Sequence, residues 1–480
     1  MAAEPILVGL DVGTTGVKAV AVTPEGDVLA RAQERYPLST PRPGWSEQEP
    51  ENWFRAGEAA LAAVGGEGAV GVGLSGQMHG LVALDEADRV VRPAILWNDQ
   101  RAAVECAEIE QRVGLERLIG LTGNRALTGF TAPKLTWLRK HEPESYARIR
   151  HVLLPKDYVR LRLTGERAID VTDASGTLLF DVAHRRWSEE VLDALEIPLE
   201  WLPEALESPA VSGRMPGAVP VAAGAGDQAA GALGVGVDRP GAVSVVLGTS
   251  GVVFAALPAF QADPEARVHA FCHAVPGGWH AMGVMLSAGG SLRWLRDVVA
   301  PGVPYEVLTA EAEGIPPGAE GVLFLPYLTG ERTPHADPNA RAAFVRLGIA
   351  DGRGTLTRAV LEGVAYGLRD SLELLLELGV QPDTGRASGG GARSRLWLEI
   401  VASVLGLPIE LTAVEEGAAY GSALLGGVAA GVFADVQEAV AACVRIRERI
   451  DPNERWSEAY EAGYARFRAL YPALKTLDDA

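Results

Sequence analysis

Short apolar runs and polar hinges alternate at the start of the chain, and the pattern recurs near its middle. In residues 6–22, ILVGLDVGTTGVKAVAV, two apolar runs flank the hinge Asp11-Val12-Gly13-Thr14-Thr15-Gly16. Runs rich in Val, Leu and Ile, too short and too interrupted by glycine for a helix, predict two buried strands of one antiparallel pair. Residues 243–254, VSVVLGTSGVVF, follow the same order: strand, Gly248-Thr249-Ser250-Gly251, strand. One such hairpin near the start of each half is a weak internal repeat, and duplicated domains would set the two opposite each other across a cleft.

Between the hairpins the pattern predicts a strand over 28–34, a loop over 41–54 leading into a helix over 51–64, and strands over 70–74 and 81–84. Helices follow from about 100, over 156–163 and over 188–195. Residues 133–138, PKLTWL, read as the start of an amphipathic helix with Pro in its permitted first turn, and 172–177, TDASGT, as a polar loop. Over 219–235 a Val/Ala strand ends in Gly224-Ala225-Gly226-Asp227-Gln228 and runs into an Ala/Gly-rich helix able to cross another helix closely. The second half adds a helix over 291–299, a strand entering the polar loop of 323–334, and a long helix capped by Thr355 and ending near 377. Residues 387–394, ASGGGARS, open a helix over 396–405. A close-packed Ala/Gly helix within 414–432 and an amphipathic helix around 456–470 complete the chain.

Length changes this picture by dividing it: 480 residues exceed one ordinary core, so two domains with a cleft between them are expected. Charge narrows the partners. The formal net charge of −19 is spread without a polybasic segment, which argues against nucleic acid or an anionic membrane as partner. Cys106, Cys272 and Cys443 are the chain's cysteines, odd in number and widely spaced, so neither a disulfide framework nor a cysteine metal site is expected. No apolar run reaches the roughly 20 residues of a membrane span, and no charged-then-apolar leader opens the chain. A soluble protein of the reducing cytoplasm is the expectation.

In an acidic chain a phosphate ligand must be held locally. Glycines in the first hinge let backbone N–H groups approach a ligand, and threonine hydroxyls can surround phosphate oxygens without a cationic side chain. Asp11 would repel bare phosphate; it makes sense beside a cation, most simply hydrated Mg2+ carried with a nucleotide. The strand before Ser75-Gly76-Gln77-Met78-His79-Gly80 would present Gln, Met and His at a cleft edge. Polar density in 94–101, AILWNDQR, suggests hydroxyl recognition. Asp227, flanked by glycine, has room for a substrate, and a helix N-terminus beyond it would hold it ionised as a general base. Three glycines before the helix at 396 would clear space for something flat, such as adenosine. Each stretch alone also fits a packing role: a tight turn, a structural histidine, a solvated strand end, an N-cap or a linker.

Taken in order, DVGTT at Asp11, SGQMHG at Ser75, LWNDQR at Leu96, PKLTWL at Pro133, GAGDQ at Gly224, LGTSG at Leu247, TGER at Thr329 and SGGGARS at Ser388 make the chain similar to the FGGY carbohydrate kinase family along essentially its whole length. The resemblance implies an α/β fold of two actin-like ATPase (ribonuclease H-like) domains, 1–238 and 239–480, with sugar and ATP meeting in a central cleft. It implies Asp227 as catalytic base and Asp11 as the second catalytic carboxylate, the one near Mg2+. Around the sugar it places Gln77, Met78, His79, Trp97, Asn98, Asp99, Asp227 and Gln228. Around the phosphates it places Gly13, Thr14, Thr15, Lys18, Gly248, Thr249 and Ser250, with Gly390, Gly391, Ala392 and Ser394 on the adenosine side. The Met-His-Gly form points within the family to D-xylulose, phosphorylated on its 5-hydroxyl. Ribulose, xylitol, gluconate and glycerol are the alternatives, and an ATPase switch of the actin or chaperone kind is the rival from another class. Arg346, Thr355 and Ser403 depart from the family pattern, where Gly, a longer polar residue and Asp are usual, and bear on nucleotide affinity. A homodimer is allowed, though nothing in the chain demands one.

Overall fold

Two seven-stranded sheets carry the fold, each built around one of the hairpins. The computed structural model describes residues 5–477. In the first sheet β1 (Ile6–Val12) pairs antiparallel with β2 (Gly16–Val22), and β2 with β3 (Val28–Arg35). On its other side β1 runs parallel to β4 (Ala69–Gly76). The antiparallel pair β5 (Val211–Met215) and β6 (Val219–Ala222) lies beyond, with β6 parallel to β4, and β7 (Ala225–Gly226) continues along the end of β4. The second sheet repeats this scheme. β8 (Ala242–Leu247) and β9 (Gly251–Leu257) form the hairpin, with β10 (His269–Cys272) and β11 (Trp279–Met285) antiparallel beyond β9. Parallel to β8 come β12 (Thr384–Ser388) and β13 (Ile409–Thr412), closed by antiparallel β14 (Ile446–Ile450). The same succession of antiparallel and parallel pairings runs through both sheets, with one further antiparallel strand in the second, which is the repeat in topological form.

The helices that matter for the site are α1 (Pro50–Ala63), α2 (Thr131–His141), α3 (Pro155–Thr164), α4 (Val171–Ser175), α5 (Asp227–Gly234), α6 (Arg353–Glu377), α7 (Arg395–Leu405) and α8 (Gly417–Ala429). Successive strand residues point to opposite faces. In β1, Val8, Leu10 and Val12 face a core that includes Trp53 of α1, while Leu7 faces one that includes α8. Gly9 and Asp11 share the face of Leu7 by that alternation, as Gly71, Gly73 and Ser75 share one face of β4. A Cβ on Gly9 would lie 1.9 Å from the Ala419 carbonyl oxygen, and one on Gly73 1.7 Å from that of Ser422. Helix α8 therefore rests on strand backbone, and the glycine stripe under it ends in the polar pair Asp11 and Ser75. The same helix crosses α5 closely, as its small residues predict: a Cβ on Gly421 would sit 1.9 Å from the Ala230 carbonyl oxygen.

Several local expectations are corrected. Residues 131–138 of α2 are buried on every side, so PKLTWL forms a core helix rather than an amphipathic one. TDASGT is not a loop: its first residues form the buried helix α4, because Asp170 caps it by accepting the backbone N–H groups of Thr172 and Asp173. Thr355 is the third residue of α6 and does not cap it; Gly352 precedes the helix, and the Thr355 hydroxyl donates to Glu320 at 3.2 Å. Arg346 takes φ 67°, the left-handed region in which glycine is free of strain. Ser403 satisfies its own hydroxyl by donating to the Glu399 carbonyl at 2.7 Å and accepting from the Asn453 N–H at 2.9 Å. Among the described residues no helix is long and apolar enough to cross a membrane.

Gly421→Ala must force α5 and α8 apart and is expected to lower unfolding free energy by about 2–3 kcal/mol. Gly231→Ala, whose Cβ would meet nothing nearer than 3.9 Å, is expected to be neutral or stabilising by up to about 1 kcal/mol. Chemical denaturation of the two variants checks the pair, and equal destabilisation would contradict the packing account.

Candidate active site

The first hinge is held by a small polar scaffold. The Gly13 N–H donates to the Gly16 carbonyl at 3.1 Å, and Tyr36 donates to the Gly13 carbonyl. Thr14 Oγ1 accepts from Trp97 Nε1 at 3.0 Å and donates to Gln77 Oε1 at 3.2 Å. Gln77 Nε2 donates on to Gln48 Oε1 at 3.1 Å, and Gln48 Nε2 to the Thr14 carbonyl at 2.7 Å. Gln77 thus braces the hairpin instead of facing a sugar. Thr15 and Lys18 are exposed, and Lys18 pairs across the strands with Asp11. Asp11 accepts from Ser75 Oγ at 3.1 Å; burial raises its carboxyl above the usual range, against the opposing pull of Lys18 and Ser75.

Asp227 is the first residue of α5, at the mouth of the first sheet. Its carboxyl is pushed up to about 7, first by burial and then by the charge of Asp11, with Gln228 opposing. The expectation that a helix N-terminus keeps it ionised is therefore corrected: desolvation in this enclosed position outweighs the dipole of a two-turn helix. Met78, His79, Trp97, Phe130, Asp227, Gln228, Ser250 and Arg332 are among the residues that surround a cavity of about 160 Å³. Met78 lies over Gly226, where a Cβ would approach its Cγ to 2.7 Å.

His79 is clamped at three points. Its backbone takes φ 69°, its carbonyl accepts from Lys134 Nζ at 2.8 Å and Thr131 Oγ1 at 3.1 Å, and its Nδ1 lies 2.6 Å from the Gly176 carbonyl. A carbonyl only accepts, so Nδ1 carries the proton and Nε2 is left as an acceptor. Burial drives the imidazole pKa down to about 3, so this neutral form persists at every physiological pH. His79 Nε2 can therefore accept a hydrogen bond from a sugar hydroxyl, and the ring adds no charge to the cavity.

Trp97 links the cavity to the first hinge through its bond to Thr14, but its neighbours do other work. Asp99 is buried away from the cavity, accepting from the Ser46 N–H at 2.6 Å and from Arg101 at 2.8 and 2.7 Å. That corrects its placement around the sugar: a buried carboxylate with a bidentate arginine is scaffold. Asn98 is half-buried, outside the cavity lining, and its Oδ1 has no partner. Arg332 and Phe130 were not among the expected site residues. Arg332 belongs to the TGER landmark; nothing in the pattern around Phe130 marks it.

The second hinge opens elsewhere. Gly248 and Thr249 accept backbone N–H groups from Gly289 and Ala288 at 2.8 and 2.9 Å, and with Gly390, Gly391, Ser394 and Trp397 they border a cavity of about 440 Å³. Ser250, expected with the phosphates, faces the smaller cavity. A wider groove of about 800 Å³ holds Lys18, Ser388, Gly390 and Ala392. The glycine run is only partly open space. A Cβ on Gly389 would lie 2.8 Å from the Leu247 backbone and one on Gly391 2.8 Å from Leu247 Cβ, so both are glycine for packing, and Gly390 alone of the three has open room. Ser394 caps α7 by accepting from the Trp397 N–H at 3.3 Å.

The chain belongs to the FGGY family of carbohydrate kinases: the family's N-terminal domain matches residues 6–234 and its C-terminal domain residues 243–430. Within that class it is similar to proteins named xylulose kinase. The Escherichia coli xylulose kinase is 42% identical, covering 98% of this chain and 99% of its own length. That of Bacillus subtilis is 36% identical over 99% of this chain and 98% of its own. The crystal structure of the Rhodospirillum rubrum xylulose kinase superposes with a TM-score of 0.91 at 33% identity, covering 99% of this chain and all of that one.

Between its ordinary 3.8 and about 7, folded Asp227 binds a proton that the unfolded chain releases, so this residue's ionisation costs stability as pH rises. Asp227→Asn removes that cost. Relative to the parent, the variant is expected to gain about 2–3 kcal/mol in unfolding free energy between pH 5 and pH 8. Chemical denaturation at the two pH values checks this; a difference independent of pH would contradict it.

Proposed function

We propose that the protein transfers the γ-phosphoryl group of ATP to the 5-hydroxyl of D-xylulose, giving D-xylulose 5-phosphate and ADP. The observation that carries the reading is Asp227: a half-buried carboxylate with a pKa near neutrality, set in a small cavity that a neutral histidine acceptor and Ser250 of the second hinge also line. A general base works best when its pKa lies near the working pH. Asp227 accepts the proton of the primary hydroxyl as its oxygen bonds to the γ-phosphorus, and the bond to the β–γ bridging oxygen breaks, leaving ADP. Met78, His79 and Trp97 hold the sugar, Thr14, Thr15 and Lys18 face the transferring phosphate, and Thr249 with the Gly390 side holds the nucleotide. Closure of the two halves, 1–238 and 239–480, over the bound substrates would keep water from the phosphate.

Magnesium fits this chain through Asp11. Among the described residues no group of three or more His, Cys, Asp and Glu could hold a metal by protein ligands alone. Mg2+ bound with nucleotide asks for less: one or two carboxylates, with phosphate oxygens and waters completing its shell. Asp11, half-buried with a single serine side-chain donor, is such a carboxylate. When bound, the ion neutralises and orients the phosphate oxygens. The three dispersed free cysteines, each with a thiol pKa raised by burial, support a cytoplasmic location.

ADP release with MgATP tests class and substrate together across D-xylulose, D-ribulose, L-ribulose, xylitol, glycerol, gluconate and no sugar. Strong stimulation by D-xylulose is expected; steady hydrolysis indifferent to every sugar would favour an ATPase switch instead. Asp227→Ala is expected to lose about 10²–10⁴-fold in turnover while still binding nucleotide. Near-parental turnover would remove the base assignment.

A further inference from the structure

A cluster of five charged side chains, each 0% exposed, lies behind the Asp227 loop. Lys156 Nζ stands 2.7 Å from Asp157, 2.7 Å from Asp170 and 2.8 Å from Asp173, and Arg160 stands 2.9 Å from Asp157. Burying three carboxylates and two cations is costly, and such groups add less stability than apolar packing would. Their connections suggest what they achieve. Thr172 Oγ1 donates to Asp170 Oδ2 at 2.5 Å, and Asp170 Oδ2 also accepts the Thr172 N–H at 2.7 Å. With its one proton given to Asp170, the Thr172 hydroxyl offers a lone pair, and the Gly226 N–H donates to it at 2.8 Å. Arg160 reaches the other end of the same segment, donating to the Ala223 carbonyl. Both ends of 223–226 are thus tied to the cluster, and Asp227 follows directly.

Helix α4 serves the facing side as well. Its first residues carry Thr172, and Gly176 just beyond it supplies the carbonyl that fixes the His79 tautomer. His79 and Asp227, which line the same cavity, are therefore both referenced to one short helix held in place by Lys156.

We propose that Thr172 is a positioning residue for phosphoryl transfer: backed by the Lys156–Asp170 pair, its hydroxyl sets the placement of Asp227 through the Gly226 N–H. The proposal rests on Asp227 acting as the base. A hydroxyl proton passes only over a short, aligned distance, so a displacement near 1 Å lowers turnover far more than it lowers substrate affinity.

The test compares Thr172→Val, which keeps the shape and removes the hydroxyl, with Thr172→Ser, which keeps the hydroxyl, assaying Asp227→Ala alongside. In the valine variant kcat is expected to fall by about 10–100-fold, with KM for D-xylulose and MgATP within about threefold of the parent. Serine is expected to restore kcat to within about threefold. A valine variant with parental kcat, a fall that serine does not rescue, or a valine variant that fails to fold by near-ultraviolet circular dichroism would overturn the proposal. If Asp227→Ala itself turns over like the parent, the base assignment has failed; if it is inactive while Thr172→Val is parental, this inference alone has failed.

Discussion

Desolvation of two neighbouring carboxylates governs the cleft. Asp11 and Asp227 are both half-buried, both have pKa values raised by desolvation, and the charge of Asp11 is a further reason that Asp227 holds its proton. Among the described residues no cation forms an ion pair with either; Lys18 acts on Asp11 through its field. Such a site is costly when both groups are ionised and relaxes when charge of the opposite sign arrives. A divalent cation delivered with nucleotide would lower the Asp227 pKa as it neutralises Asp11. The base would then become competent when the phosphoryl donor is present, which couples nucleotide binding to chemistry without a moving part.

Holding two carboxylates in that state requires a rigid frame. The glycine faces of β1 and β4 let α8 lie on bare backbone, and the stripe ends where Asp11 and Ser75 emerge. Close helix crossing of α5 with α8 then fixes Asp227 relative to the same strands. Small residues here are a geometric requirement, since a methyl group at Gly9, Gly73 or Gly421 would overlap a carbonyl oxygen. The sugar side is framed differently, by buried lysines: Lys134 clamps the His79 carbonyl, and the Lys156 cluster holds α4.

Features carried by local pattern were legible in the sequence. Both hairpins, their repetition, the strand-to-helix junction at Asp227 and the small-residue crossing follow from period-2 alternation and glycine placement. Features that depend on long-range pairing were not. TDASGT reads as a loop because its polar residues suit solvent; Lys156, brought from another helix, pairs with Asp173 and with the capping Asp170 and so compensates the burial. Asp99 and Gln77 resemble ligand groups in sequence, yet Arg101 and Gln48 take them into the scaffold. Phe130 has no polar signature at all, and the raised pKa of Asp227 depends on desolvation in the folded cleft and then on Asp11, more than 200 residues away in sequence.

The most direct test of the coupled pair follows the ionisation of Asp227 itself. Carbon-13 NMR of aspartate labelled at the side-chain carboxyl, with Asp227→Asn identifying the resonance, gives its titration with and without MgADP. A midpoint near pH 7 in the free protein that falls when MgADP binds is the predicted result. A midpoint near the ordinary 3.8 in both states would contradict the account, because Asp227 would then be a solvated carboxylate indifferent to Asp11 and to the cation.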